Sequence, residues 1–311
     1  MNIVKRILNS FKNTKEIEDL EEINFITIDA KEIVKEHPDA LYDLYHSKKH
    51  GFLIKNFLNS EEISILQDFA KHNIEREVAK TPVGYTYPMI FQEFSLRNKD
   101  LKPEELVLNS KLYFENNEAF NNNFHQTTKV DLYNKINTIF ENLSGGRKVE
   151  VPKGFENLGR YLFGNFRHLD PNGGLMTVHC GNYFGKNFEI VYRHLVQKIK
   201  VTNQMSYFVM VQKPDIGGEL SIFNLRWIDG QGKSGFSEDE EVFLSNGAVI
   251  KVDNHPKIKR FPMIPEPGDM ILFQGGNIWH RVEKVFGNKE RITFGGFMGI
   301  DKDESTFYYW T

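Results

Sequence analysis

The residues most able to do chemistry sit in two stretches of this chain. One is LMTVHCGNYF, residues 175–184, with His179-Cys180-Gly181 at its centre; the other is IWHRVEKVFGNKERITF, which holds His280, Arg291 and Thr293. Two neutral imidazoles projecting from facing strands make a pair of cis ligands to a divalent first-row metal and leave several positions open. Such a site commonly takes a carboxylate two residues after its first histidine, and here Gly181 stands in that place. Arg291 and Thr293 lie on what reads as the next strand. A guanidinium fork beside a hydroxyl suits the distal carboxylate of a small dicarboxylic acid whose other end chelates the metal. Each residue also has an ordinary reading: a lone strand histidine is more often a hydrogen-bonded core residue, and Arg291 next to Glu290 suits a surface ion pair. Cys180 alternates with His179 along the strand, so it points away from any site His179 faces and reads as a small core residue.

Elements must bring these residues together. From about residue 155 the pattern is one of short strands separated by turns: GRYLFGNFRHL, LMTVHCGNYF, QMSYFVMVQK, GELSIFNLRW, GAVIKVD, DMILFQ, NIWHRV and RITFGGFM. The turns Asp170-Pro171-Asn172-Gly173-Gly174, Pro214-Asp215-Ile216-Gly217-Gly218 and Glu266-Pro267-Gly268-Asp269 carry the residues that turn geometry requires. A helix is expected over 186–199. Strands at this spacing predict a double-sheet jelly roll. The first half reads differently. NFITIDA and GFLIKNFL are strand-like; Asn59 or Ser60 caps a helix whose buried stripe is Ile63, Leu66, Phe69, Ala70 and Ile74; VDLYNKINTIFENL puts Leu132, Ile136, Ile139, Phe140 and Leu143 on one face. The aromatic stretch 81–95, broken by Pro82, Gly84 and Pro88, reads either as a lid over an apolar or aromatic substrate, with Tyr85, Tyr87, Met89 and Phe91 lining it, or as plain core. The expectation is a mainly β protein with a helical buttress (α+β). Residues 1–154 form a helical and strand layer packed on a core of residues 155–311, as one compact unit.

Composition narrows the partners. A chain of 311 residues with 40% hydrophobic content supports a real core. A net charge of −3 with a pI near 6.4 gives no electrostatic case for nucleic acid or an anionic membrane. Cys180 is the single cysteine, which rules out an intrachain disulfide and a thiolate zinc site and fits a reducing, cytoplasmic setting. No run of apolar residues is long enough to span a membrane, and the N-terminus reads as a short amphipathic helix, not a signal peptide. The 26 phenylalanines suggest a core or pocket lined with rings.

Taken together, residues 156–299 resemble the double-stranded β-helix (a cupin-like jelly roll) of Fe(II)/2-oxoglutarate-dependent oxygenases. The matching features are His179, the strand-turn-strand MSYFVMVQKPDIGGELSIF, the PGDMILF strand, His280 and Arg291-x-Thr293; GFLIKNFLNSEEISILQDFAK resembles the N-terminal strand and helix of that family. The resemblance implies Fe(II), 2-oxoglutarate and O2 as cofactors and a small-molecule substrate. Gly181 departs from the common pattern. In the subgroup that halogenates unactivated carbon, the resemblance implies that Gly or Ala there opens a coordination position for chloride or bromide, which restores both ligand count and charge. Asn182, the Gly181 backbone N–H and Arg160 are then candidates to hydrogen-bond the halide. Tyr207 is a candidate to share the co-substrate carboxylate with Arg291, core packing being its other reading. Other assignments stay open: His168-Leu169-Asp170 is a literal His-x-Asp, although Asp170 also opens a turn; Glu219 is a carboxylate that another strand could bring in. Either would make a hydroxylase, and a jelly-roll binding module without catalysis is a third reading.

Overall fold

The computed structural model describes residues 22–72, 80–81, 84–98, 100–154, 157–182, 195–227, 241–243 and 249–311. The N-terminal segment, Ile74 and most of the helix expected over 186–199 lie outside the described residues. The first half runs β1 (Phe25–Asp29), α1 (Ala30–Glu36), α2 (Ala40–Tyr45), β2 (Gly51–Lys55), α3 (Ser60–His72), β3 (Lys80–Thr81), β4 (Gly84–Tyr87), α4 (Phe91–Arg97), α5 (Pro103–Thr128), α6 (Leu132–Leu143) and β5 (Lys148–Glu150). Then come β6 (Asn165–Leu169), β7 (Met176–His179), β8 (Ile199–Gln212), β9 (Ile216–Gly217), β10 (Leu220–Arg226), β11 (Glu241–Phe243), β12 (Val249–Lys251) and β13 (Arg260–Met263). The chain ends with β14 (Met270–Phe273), β15 (Ile278–Val282), β16 (Val285–Phe286), β17 (Arg291–Asp301) and β18 (Thr306–Trp310). All eight strands expected after residue 155 are present. The expected helix does not reach 199: Leu195–Gln197 is a single 3-10 turn, and Ile199 already opens β8.

Two sheets carry the architecture. The larger has ten strands in the order β1-β2-β14-β8-β17-β6-β4-β3, with β18 bridging β17 and β5; the smaller runs β13-β10-β15-β7. They face one another across a layer to which Leu53, Phe208, Ile271 and Phe273 contribute from the large sheet and Leu220, Ile222, Ile278 and Val282 from the small one. This is the expected open double-sheet jelly roll. The first half is more than a layer laid on it. Its β1 and β2 extend one edge of the large sheet through β14, and β4 and β3 extend the other through β6. Helices cover the opposite face of that sheet. Asn59 and Glu62 close α3 reciprocally: the Glu62 N–H donates to Asn59 Oδ1, and the Asn59 N–H to Glu62 Oε2, both at 3.0 Å. In α6 the stripe Leu132, Ile136, Ile139, Phe140 and Leu143 is buried, as its spacing requires.

The candidate lid residues of the aromatic stretch, Tyr85, Tyr87, Met89 and Phe91, belong to this helical side. Tyr87 meets Phe69 and Phe120, Met89 packs on the same core, and Phe91 is buried against Phe94, Tyr113, Phe114 and Tyr161. Tyr85 and Tyr87 are paired in register with His168 and Phe166, which places all four on the helix-facing side of the sheet. The lid reading is therefore corrected for Tyr87, Met89 and Phe91, which fill the space between sheet and helices, with Tyr85 on the same side of the sheet.

Candidate metal and anion site

The strand pair β7–β15 sets His179 directly opposite His280. On β15, Ile278 and Val282 pack between the sheets while Trp279 joins the cluster on the outer face of the small sheet. Period-two alternation then sends His280 inward. On β7, Val178 and the buried Cys180 belong to the same outer cluster as Trp279, so His179 also faces inward. The two rings lie with centroids 4.3 Å apart, and Phe273 meets His280 edge-on at 4.9 Å.

Both rings are oriented by backbone. His179 Nδ1 lies 2.7 Å from the Thr177 carbonyl and His280 Nδ1 2.7 Å from the Ile278 carbonyl. A carbonyl only accepts, so each Nδ1 carries the proton and each Nε2 carries the lone pair. This is the tautomer a metal-binding histidine needs, held by the second-layer hydrogen bond such ligands usually have. Burial holds both imidazoles neutral: it pushes His179 down to about 4, helped by the nearby Arg167 cation, and pushes His280 well below its ordinary value, helped by His179. Among the described residues no group of three His, Cys, Asp or Glu side chains is placed to hold a metal.

Gly181 follows the pair. Its N–H donates to the Gly275 carbonyl at 2.8 Å, and a Cβ built on it would meet Gly276 Cα at 3.0 Å. The Gly275-Gly276 loop, which joins β14 to β15, has closed onto a residue without a side chain. Gly276 itself admits none, because a Cβ there would run into the Gln204 backbone.

A second group lies on the inter-sheet face of the large sheet. Ile292 and Phe294 of β17 face the helices, so Arg291 and Thr293 face the small sheet. Arg291, 2% exposed, donates from Nε to the Gly218 carbonyl at 2.8 Å and lies over the Phe208 ring. Burial pushes its guanidinium down to about 9, with the Arg167 charge adding to this and the Glu219 charge opposing it. Thr293 is paired in register with Arg167 of β6. Nothing in the sequence had marked Arg167; the one signal was a lone arginine in the strand-like run NFRHL. It keeps some exposure, but its Nε is enclosed without a partner and its Nη1 reaches only the Met176 sulfur, at 3.1 Å. Burial pushes it down to about 10.

Several expected site residues lie elsewhere. Arg160 is held by Glu118 at 2.7 Å, with Asn122 and Tyr133, on the helical side, so it is not a halide donor. Asn182 spends its side chain on Asn203, accepting from its N–H at 2.6 Å and donating to its Oδ1 at 3.2 Å; the Gly181 N–H is likewise committed to Gly275. Tyr207 points to the helices, where its hydroxyl donates to the Phe163 carbonyl and its ring meets Phe140 and Tyr309; its neighbour Phe208 occupies the inter-sheet side. The rival His-x-Asp falls apart in space. His168 faces the other side of β6 from Arg167 and pairs with Glu290 at 3.1 Å, while Asp170 accepts from the Asn172 N–H in the turn. Glu219 acts on Arg291 and not on the histidines.

Residues 22–311 match the family described as carrier-protein-independent halogenase WelO5. No curated protein sequence matches the chain. Among solved structures, an N-substituted L-amino acid dioxygenase from Burkholderia ambifaria AMMD is similar at a TM-score of 0.53 and 16% identity, over 88% of this chain and 90% of that one. The same dioxygenase in complex with α-ketoglutarate gives 0.50 at the same identity and coverage. At that identity the likeness is one of fold, and it is the fold built above from two facing sheets. With nearly the whole described chain inside one family match, this protein belongs to the carrier-protein-independent halogenase WelO5 family.

Proposed function

We propose that the chain is an Fe(II)/2-oxoglutarate-dependent halogenase that replaces a C–H bond of a small molecule with C–Cl or C–Br, consuming O2. The observation that carries this is the pair of buried, neutral, backbone-oriented histidines followed by a glycine onto which the 275–276 loop has closed. His179 and His280 would hold the iron through Nε2. Arg291 and Thr293 would take the distal carboxylate of 2-oxoglutarate, which is the partner a buried guanidinium without a carboxylate in contact lacks. When bound, the metal supplies the redox chemistry that couples O2 to attack on the C–H bond. The protein contributes two neutral ligands and no anion at position 181, so a halide is the ligand that completes charge and coordination there. The Phe273 edge and the apolar layer around it shield His280 from water. The substrate is left open, because the rings expected to recognise it are core. A reducing, cytoplasmic setting remains part of this reading.

The deciding measurement is a chloride titration of the anaerobic protein loaded with Fe(II) and 2-oxoglutarate. A shift of the visible charge-transfer band, followed by a chlorinated product on exposure to O2, is expected. An unmoved band with hydroxylated product alone would replace the halogenase by a hydroxylase; no band at all would remove the metal assignment.

A further inference from the structure

In register, Arg167 of β6 lies between Thr293 of β17 and Thr86 of β4, whose hydroxyl is spent on Glu93. Arg291 is two residues along β17 from Thr293, which makes it the diagonal neighbour of Arg167, within reach of long side chains. Arg167 also crosses the gap: its Nη1 meets the sulfur of Met176 on β7, the strand that carries His179. A thioether is a weak acceptor, and the Arg167 Nε has none. By contrast Arg160 is matched to Glu118, and Arg281 to Asp253 and Glu283. A guanidinium enclosed with a sulfur in place of an oxygen anion costs stability, and such a cost is tolerated where a ligand repays it.

We propose that Arg167 is a second anion-binding residue of this site, forming with Arg291 a two-guanidinium cradle between the sheets. The cradle takes anionic ligands at both ends: a carboxylate at Arg291 and, at Arg167, on the His179 side, either the other carboxylate of the same dicarboxylate or a halide. The proposal rests on the reading of Arg291 as the co-substrate anchor and supplies the halide or carboxylate contact that Arg160 and Asn182 do not.

The test uses metal-free full-length protein, so it does not depend on turnover. Binding of succinate, of bromide and of acetate is followed by thermal shift and calorimetry for the wild type and for Arg167→Met, Arg167→Lys and Arg291→Met. Loss of one charge-assisted contact weakens binding by about 10- to 100-fold. Arg167→Met is expected to weaken succinate by that factor if Arg167 holds a carboxylate, or bromide by that factor if it holds a halide, with Arg167→Lys recovering part of either. The ligand-free Tm of Arg167→Met should not fall, because no protein anion loses its partner. Unchanged binding of all three anions by Arg167→Met, or a lowered ligand-free Tm with normal binding, overturns the proposal. If Arg291→Met loses succinate while Arg167→Met does not, only this inference fails; if Arg291→Met keeps it too, the co-substrate assignment fails with it.

Discussion

The ten-stranded sheet shows two chemically different faces built from the same strands. On β17 the helix-facing residues are Ile292, Phe294, Met298 and Ile300, all fully buried. Phe294 meets Phe124, Phe163 and Phe166, and the Tyr207 hydroxyl that enters this side is paired with the Phe163 carbonyl. One residue out of phase, the same strand presents Arg291 and Thr293 to the other sheet, where two guanidiniums and two imidazoles sit near one another with few anions. The helical face gains from burial and dispersion and holds the strands in register. The inter-sheet face carries imidazoles and guanidiniums whose burial disfavours their charged forms, and among them the Arg167 Nε has no partner. A rigid sheet stabilised on one side is what lets the other side keep an unfavourable charge arrangement in place.

Substitutions on the two faces should therefore differ in kind. The largest stability effect belongs to the helical face: Phe294→Ala should cost about 3–5 kcal/mol by cavity formation, read from urea unfolding, with metal binding by the remaining folded protein intact. A cost below about 1 kcal/mol would mean the ring cluster is not the supporting core. Arg291→Ala should do the reverse. It should raise the 2-oxoglutarate requirement by about 1.5–3 kcal/mol, with a stability loss smaller than that of Phe294→Ala because only the Gly218 hydrogen bond and the Phe208 contact are lost; an unchanged requirement would move the co-substrate off this face. Gly181→Asp tests the loop that has closed on the glycine. Its Cβ must displace Gly276, so a loss of about 1–3 kcal/mol in stability is expected together with loss of chlorination, and a variant that still chlorinates fully would detach residue 181 from the metal.

The smallest effect is on pH dependence. His179 has its ordinary value of 6.5 in the unfolded chain and about 4 when folded. Above 6.5 it is neutral in both states and contributes nothing. As pH falls from 6.5 toward 4, the unfolded chain takes up a proton that the folded one refuses, so stability declines across that window and levels off below it. Because His179 keeps some exposure, about 1–2 kcal/mol is expected rather than the full shift, measured as urea midpoints of wild type against His179→Gln. Iron binding should persist to lower pH than the ordinary histidine value allows, since no proton has to leave either ring. A binding curve that collapses near 6.5 would contradict the buried, backbone-oriented pair.

Much of the site was legible because its residues are both chemically unusual and correctly phased within short motifs. His179 and Cys180 had to point opposite ways once the stretch was a strand, and His280 and Arg291-x-Thr293 followed the same rule. The failures share one cause. In MSYFVMVQ both faces are apolar, since one packs on helices and the other on a second sheet, so alternation gives no sign of which residue faces which; Tyr207 and Phe208 were indistinguishable until the sheet had neighbours. The stretch 81–95 had the composition of a binding pocket and of a core alike, and Phe91 became core because α5 lies over it.

From the sequence alone followed the two histidines, the glycine in place of a carboxylate, the arginine beside a threonine and a jelly roll able to bring them together. The tertiary structure alone decided that Arg167, and not Arg160, lies between the sheets. Seven residues apart in one strand-like run, they fall on opposite faces by alternation, which does not say which face is which. Arg160 met Glu118 on α5 and was neutralised there, whereas β6 pairing with β17 turned Arg167 into the gap beside Thr293, where its Nη1 meets the Met176 sulfur and its Nε has no partner. Whether a charge is structural or functional depends on which partner folding brings within reach, and that is a property of register between strands distant in sequence.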